Sequence, residues 1–339
     1  MSDLVRVALV GAGRIARVHA EAYRSVARGR LTACTDPVAE ASQALAADYG
    51  LTVALDLESI LADPDVDAVL IASPNALHAD QTVAAIEAGK HVFCQKPISL
   101  TLADADRVLA AAAASDRVIQ FGFMLRFTPP IPDLAARVHG GELGRIITSR
   151  ASVFGWEPTG DWFYDPAQGG GVILDTLVHF GDLVLWLFGP AERVSAVGGA
   201  YVLDTAKRMG SPDNATVTVT HASGAVSDMY VTWTGGHGNF DFQVYGTDGS
   251  TEMDLVHNQV SRVFRKPGAG DPDATSGWSY PDLVWTYGYR GEQQHFVDRV
   301  LGLEDAPIAS SPAEARAALE LMLAAQRSLD ERRVVELGR

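Results

Sequence analysis

The chain predicts an α/β protein: an N-terminal doubly wound parallel sheet, then a second α/β domain built on a large, mostly antiparallel open sheet. Three observations carry this expectation. Over the first 120 residues short apolar runs alternate with helical patterns, which is how parallel βαβ units read. The first of those runs ends in a glycine turn that opens a helix. From 145 to 264 the runs become strand-like, several with a period of two, and turn pairs such as Ser223-Gly224 and Asp248-Gly249 separate them.

Val5 to Val10 is the first β-type run, and residues 14–28 carry helical spacing. Leu31 to Thr35 is the next strand and residues 38–49 an Ala-rich helix. Val66 to Ala72 reads as a strand, 76–88 as a helix, His91 to Cys94 as a strand, 101–115 as another Ala-rich helix and Val118 to Phe121 as a strand. Right-handed crossovers would place the helices on both faces of the sheet. The character changes near residue 123, so the expected domains are 1–122 and 123–339. In the second, IITSRASVF, RVSAVGGAYV, NATVTVTHA, AVSDMYVTW, NFDFQVYG and SRVFR read as strands, interrupted by one strong helix at about 172–188. Residues 267–282, rich in Gly, Pro, Asp and Ser, read as a loop. Ser311-Pro312 opens a last helix over 312–332, expected to pack back on the first domain.

Composition excludes several classes. The 339 residues are 47% hydrophobic and 20% charged, an ordinary globular mixture. Lys and Arg number 27 against 42 Asp and Glu, a formal net charge of −15, which repels phosphate backbones and anionic membranes. No nucleic-acid partner and no membrane association are expected. No apolar stretch is long enough to span a bilayer, and Leu4 to Val10 is too short for a secretion signal. Cys34 and Cys94 both sit in apolar strand contexts without a CxxC pattern, which argues against disulfides and zinc and suits a cytoplasmic protein.

Residues 5–16 read VRVALVGAGRIA. Gly11 permits a tight turn, Gly13 lets backbone approach an anion, and Ala16 allows helix and strand to pack closely. The helix N-terminus, starting at Arg14 and Ile15, offers free N–H groups and a positive dipole end to a pyrophosphate. Asp36 follows Ala16 by 20 positions at the end of a strand, where its carboxylate can accept from a ribose diol and repel a 2′-phosphate. The expected cofactor is therefore NAD in preference to NADP. Ser73 and Asn75 end the next strand, and ligands of open parallel sheets bind beyond strand carboxyl ends. They are expected on the nicotinamide side, with His78 close behind.

Gln95, Lys96 and Pro97 close a further strand on the same edge. Lys96 there can hydrogen-bond a reacting oxygen and serve as acid or base. After the triple glycine 169–171, Asp175 and His179 stand at i,i+4 on one helix face, and Asp182 at i+7 continues it. A carboxylate beside an imidazole fixes its tautomer and raises its basicity. The same pair would also suit a self-satisfied core. A metal site would need another ligand that the sequence does not offer, so no metal is expected. Arg126 can donate to a substrate hydroxyl or pair with an acidic residue. Trp156, Trp162, Phe163 and Tyr164 offer aromatic faces to a sugar ring, and Tyr287, Tyr289 and His295 are further pocket candidates. Of the aromatics, Trp162 is the substrate-side choice.

Together VGAGRIA, ASPNALH, the QKP segment, FGFMLRFTP, GGGVILDTLVHFGD and YRGEQQHF resemble the Gfo/Idh/MocA family of NAD(P)-dependent sugar and cyclitol oxidoreductases. The resemblance implies a Rossmann domain followed by an α/β domain whose open sheet forms a homodimer or homotetramer. It implies Lys96, Asp175 and His179 as the catalytic set, with Gly11, Gly13, Arg14, Ile15, Asp36, Ser73, Asn75, Gln95 and Lys96 bordering the cofactor. The family usually has Glu-Lys-Pro. Gln95 keeps the shape but removes a negative charge beside Lys96. The activity so implied is hydride transfer between nicotinamide and a secondary alcohol or ketone of a sugar, cyclitol or related polyol. A non-catalytic NAD-bound sensor, or a lyase or hydrolase assisted by NAD, is the alternative.

Overall fold

The computed structural model describes residues 4–155, 157–235, 239–255, 261–265, 275–278, 287–304 and 309–338. They divide into two compact units, Met1–Phe127 with Thr286–Arg316 and Thr128–Trp285 with Ala317–Arg339.

The first unit is a six-stranded, all-parallel sheet. Its strands are β1 (Val5–Val10), β2 (Gly29–Thr35), β3 (Thr52–Val53), β4 (Ala68–Ile71), β5 (His91–Gln95) and β6 (Ile119–Gly122), in the order β3-β2-β1-β4-β5-β6. The order reverses between β1 and β4, so crossovers run to opposite sides there and leave a crevice at the strand carboxyl ends. The central strands are buried on both faces: β4 is covered throughout, as a parallel sheet with helices on each side requires. Helices α1 (Arg14–Tyr23), α2 (Ala39–Tyr49), α3 (Leu57–Ala62), α4 (His78–Glu87) and α5 (Leu102–Ala113) supply that cover. The sequence pattern places five of the strands within two residues. It misses two-residue β3 and short α3, which are too brief to show a period.

The sequence places the domain change near residue 123 and gives everything beyond it to one domain, with the last helix, 312–332, expected to pack back on the first. In the structure the first unit runs to Phe127 and takes back residues 286–316. Packing explains this return. A helix at Tyr287–Val300 puts Phe296 and Val297, both fully buried, into the same core as Val5, Val7, Tyr23, Val26 and Phe93. The final helix, Pro312–Glu331, has its first turn in the first unit, where Arg316 pairs with Asp106 at 2.5 Å.

The second unit is a nine-stranded sheet among the described residues. Helix α6 (Ile131–His139) precedes β7 (Ile146–Phe154). Helix α7 (Val178–Phe188) precedes β8 (Ala191–Gly199), and α8 (Asp204–Met209) precedes β9 (Asn214–His221). Then come β10 (Val226–Thr232), β11 (Asn239–Gly246), β12 (Gly249–Asp254), β13 (Ser261–Arg265), β14 (Thr275–Trp278), α10 (Pro312–Glu331) and β15 (Val335–Glu336), while α9 (Tyr287–Val300) belongs to the first unit. The order is β14-β13-β12-β11-β7-β10-β9-β8-β15, antiparallel at every junction except β7–β10. Along β9 half-exposed Asn214, Thr216, Thr218 and Thr220 alternate with buried Ala215, Val217, Val219 and His221, the signature of a sheet with one face on a core and one open. Thr275–Trp278 pair with β13 and correct that part of the loop expected over 267–282, since ladder hydrogen bonds override a turn-rich composition; the rest of that stretch lies outside the described residues.

Candidate active site

In the first unit, β2, β1, β4 and β5 are consecutive neighbours and parallel. Gly11, Asp36, Ser73 and Lys96 follow their carboxyl ends and therefore line one edge of the sheet. Gly11 has φ +99°, and a Cβ there would stand 2.7 Å from the carbonyl oxygen of Ala72. Only glycine fits this turn. Gly13 heads α1, is exposed and has open space where a side chain would project. It brings no side-chain cap, so the first N–H groups of α1, at Arg14 and Ile15, remain for an anion. Arg14 is exposed, whereas Ile15 leans on the core.

Asp36 braces this turn. Its Oδ2 accepts from the Ala12 N–H at 2.7 Å and its Oδ1 from the Val38 N–H at 2.8 Å. Ser73 donates to Gln81 Oε1 at 2.6 Å, and Asn75 is buried. These residues fit a dinucleotide: a glycine cradle, free helix N–H groups and a carboxylate at the end of the neighbouring strand.

His78, expected beside the cofactor, is fully buried. Its Nδ1 lies 2.7 Å from the Pro97 carbonyl oxygen and its Nε2 3.0 Å from that of Ser73. The ring thus joins the loop after β4 to the loop after β5. The Lys96–Pro97 bond is cis. Lys96 is half-buried, while every residue from Val92 to Gln95 and from Pro97 to Ser99 is buried.

Gln95 points into the core. Its Nε2 is 2.6 Å from His19 Nε2, and Gln293 Nε2 is 3.3 Å from His19 Nδ1. Gly122 faces Gln95 across the β5–β6 ladder, and a Cβ at 122 would stand 2.6 Å from that amide. Burial pushes His19 down to about 3, so the ring is neutral and its one unprotonated nitrogen can accept from an amide. The rings of Phe93 and Tyr289 meet it edge-on at 5.5 and 5.2 Å. Glu292, on the same helix as Gln293, is fully buried, and burial holds its carboxyl well above the carboxylate range. Burial also pushes the Cys94 thiol up to about 12, against a hydrogen bond from Thr82 that lowers it, so this thiol is inert.

Other candidates are internal to the first unit. Arg126 is buried and pairs with Glu314 at 2.6 Å. Burial pushes Glu314 up, but Arg126 and the Ser311 hydrogen bonds outweigh it and hold the carboxyl below its ordinary range. Ser311 and Glu314 cap α10 reciprocally, with Ser311 N–H donating to Glu314 at 2.8 Å and Glu314 N–H donating to Ser311 at 3.4 Å. His295 Nδ1 faces Glu304 at 2.7 Å and its Nε2 accepts from Ala309 N–H at 3.1 Å. Trp156 and the Tyr287 side chain lie outside the described residues.

In the second unit, the helix expected at 172–188 contains a π-helical turn, Ile173–Leu177, that runs into α7. Such widened turns recur at functional sites. From 171 to 180 seven residues are buried, and the half-buried ones are Asp175, Thr176 and His179. Asp182, expected to continue that face, is 1% exposed: α7 is apolar on nearly every side and mostly buried, with His179, Leu185 and Trp186 half-buried. Trp162 stacks on Phe163 with centroids 3.8 Å apart, and Tyr164 is buried edge-on to Trp233 at 5.1 Å. Burial first, with Glu157, Asp213 and Asp161 nearby, pushes Tyr164 up to about 12. The Trp233 indole N–H donates to Thr176 Oγ1 at 2.9 Å.

The sequence reading overlooks His19, Gln293, Thr176 and Trp233. His19 falls on the inner face of α1, where a lone polar residue in VHAEAY is a signal. Nothing local links Trp233 to a residue 57 positions earlier. Among the described residues no group of three His, Cys, Asp or Glu could hold a metal ion, and no helix is long and apolar enough to cross a membrane.

Comparison with known proteins agrees with this geometry. Residues 5–123 match an oxidoreductase family with an NAD-binding Rossmann fold, Gfo/Idh/MocA, and residues 132–252 match the GFO/IDH/MocA C-terminal domain. A myo-inositol 2-dehydrogenase of Thermotoga maritima is 30% identical, covering 98% of both chains. An inositol 2-dehydrogenase of Rhizobium meliloti is 31% identical over 98% of this chain and 99% of its own. The structure of a levoglucosan dehydrogenase complexed with NADH and levoglucosan superposes with a TM-score of 0.88, at 22% identity, covering 99% of this chain and 100% of that one, a likeness of fold.

Proposed function

We propose that this chain, which belongs to the Gfo/Idh/MocA family of NAD-binding oxidoreductases acting on CH–OH groups, oxidises a secondary alcohol of a cyclitol, sugar or related polyol. The observation that carries the reading is the edge of the first sheet, where the Gly11 turn, Asp36, Ser73 and Lys96 follow neighbouring parallel strands. Gly11, Gly13, Arg14 and Ile15 would hold the pyrophosphate, Asp36 the ribose diol, and Ser73, Asn75 and Lys96 the nicotinamide side. Bound nicotinamide supplies the hydride acceptor. Asp36 would exclude a 2′-phosphate, hence NAD in preference to NADP.

Lys96, Asp175 and His179 form the proposed catalytic set. His179 takes the proton of the reacting hydroxyl. Asp175, four residues earlier, fixes the imidazole tautomer and stabilises the imidazolium. Lys96 donates a hydrogen bond to the reacting oxygen and offsets the negative charge that develops there. Trp162, stacked on Phe163, offers a ring face to the polyol. Gln95 and His78 serve the cofactor edge indirectly, from within the first unit. Arg126, by contrast, is committed to Glu314.

The open face of the second sheet is the proposed self-association surface, giving a homodimer or homotetramer. Arg150, Ser152, Phe154, Tyr230 and Asp241 line a groove on it, with aromatic groups and charges of both signs suited to a symmetric contact. The two buried thiols suit a reducing cytoplasm.

The test is NADH formation from NAD with a panel of inositols, aldoses, anhydrosugars and sugar acids. Turnover of one polyol establishes the reaction and the substrate class. NAD binding by calorimetry without turnover on any of them would replace this reading with a sensor. A retained cofactor that cycles without net NADH would replace it with internal redox chemistry.

A further inference from the structure

We infer that Thr176 and Trp233 are positioning residues for Asp175, forming a directed hydrogen-bond chain from indole to hydroxyl to carboxylate. The inference rests on the reading of Asp175 and His179 given above.

In a regular α-helix neighbouring side chains project about 100° apart, so a residue next to Asp175 would turn away from the face shared with His179. The π-helical turn over Ile173–Leu177 changes that spacing. Asp175, Thr176 and His179 are then the half-buried positions in a stretch whose other residues are buried. Thr176 has two partners in line. Trp233 Nε1–H donates to its Oγ1 at 2.9 Å, and its Oγ1 stands 3.4 Å from Asp175 Oδ2.

The direction of this chain is fixed by donor chemistry. An indole N–H only donates, so the threonine oxygen accepts from it. The single hydroxyl proton then goes to the carboxylate. Donation into the oxygen polarises the hydroxyl and strengthens the second bond. The indole is itself held: Trp233 is 3% exposed, Tyr164 meets it edge-on at 5.1 Å, and its backbone N–H donates to the Asp213 carbonyl oxygen at 2.9 Å. One carboxylate oxygen is thereby anchored. On the reading given above, the other oxygen is the one left for His179. The 3.4 Å separation is long, and the bond gains most when the carboxylate carries full charge opposite an imidazolium.

The experiment reads the chain in two ways. In the first, the Trp233 indole N–H resonance of 15N-Trp-labelled full-length protein is followed from neutral to acid pH. It should titrate in wild type and lose that titration in Thr176→Val. The ionisable groups near this cluster in its own unit are His179, Glu157, Asp161 and Asp213, and Asp175→Asn separates Asp175 from them. An indole signal that titrates equally in Asp175→Asn, or in Thr176→Val, overturns the chain. In the second, kcat and KM are measured with the polyol turned over fastest in the panel. Thr176→Val should lower kcat about tenfold, the scale of one hydrogen bond to a charged group, with KM within about twofold. Thr176→Ser should restore most of it, and Trp233→Phe should act in the same direction without adding to Thr176→Val. A loss that serine does not rescue is a packing effect and overturns the inference. Unchanged kcat in Thr176→Val beside a large loss in Asp175→Asn overturns the chain and leaves the role of Asp175 standing. Unchanged kcat in Asp175→Asn removes both.

Discussion

The Nδ1 of His78 lies 2.7 Å from the carbonyl oxygen of Pro97, one position beyond Lys96, while its other nitrogen reaches Ser73. One imidazole at the head of a helix therefore couples two of the loops that form the cofactor edge. Replacing it by alanine removes the ring that lies against both carbonyl groups and frees both loops. His78→Ala is expected to lower the melting temperature and to weaken NAD binding about tenfold in calorimetry. NAD affinity equal to wild type would show that the two loops are held by other means.

His179→Ala is expected to lower kcat by about 10²–10⁴, the usual range for a general base. Steady-state rates on the active polyol check this. A loss below about tenfold would demote His179 to a structural role.

Asp36→Ala is expected to lower the ratio of kcat/KM with NAD to that with NADP by at least about tenfold, since it removes the charge that repels a 2′-phosphate. Its carboxylate also holds the Ala12 and Val38 N–H groups, so stability falls too. The ratio, unlike either rate alone, isolates the electrostatic part. An unchanged ratio would remove Asp36 from the ribose site.

Gln95→Glu places a carboxylate against neutral His19. A negative charge favours imidazolium, so the ring should titrate above its present value of about 3. The same charge sits next in sequence to Lys96 and favours ammonium, so the alkaline limb of the kcat/KM profile should move to higher pH. A limb that stays in place would show that the amide-to-acid difference at 95 is confined to the core.

Two buried groups give stability opposite slopes with pH. His19 binds its proton at about 3 when folded and near 6.5 when unfolded. Between those values the unfolded chain holds more protons, so stability is full above pH 6.5 and falls as the pH drops toward 3. Glu292 is the reverse. Its folded carboxyl stays protonated well above the ordinary glutamate value of 4.5, so it costs stability as the pH rises past that point. Melting temperatures across pH should therefore flatten on the acid side in His19→Gln and on the alkaline side in Glu292→Gln. Parallel curves for variants and wild type would contradict both assignments.

The parallel sheet was legible because VGAGRIA and the apolar runs around it are local signals with one structural solution. The antiparallel strands were legible through alternation, as in NATVTVTH. What escaped was long-range. YRGEQQHF shows nothing by itself to place Phe296 beneath Val5. FMLRF shows an arginine but not the glutamate nearly 190 residues later that claims it. In DTLVH the sequence displays i,i+4 spacing, but neither the π-helical turn nor the indole 57 positions later that donates to Thr176. Local patterns specify elements; the partners of polar side chains are specified by packing.

The return of residues 286–316 to the first unit has a consequence for biosynthesis. Phe296 and Val297 complete a core that begins at Val5. A ribosome delivers the helix that carries them 291 positions after Val5. Until then Tyr23 and Val26 lack the side chains that cover them, and the nascent chain carries an apolar seam. The core of the first unit is complete only once residues 287–300 have been made, and a chain stopped before them would expose that seam to chaperones and proteases.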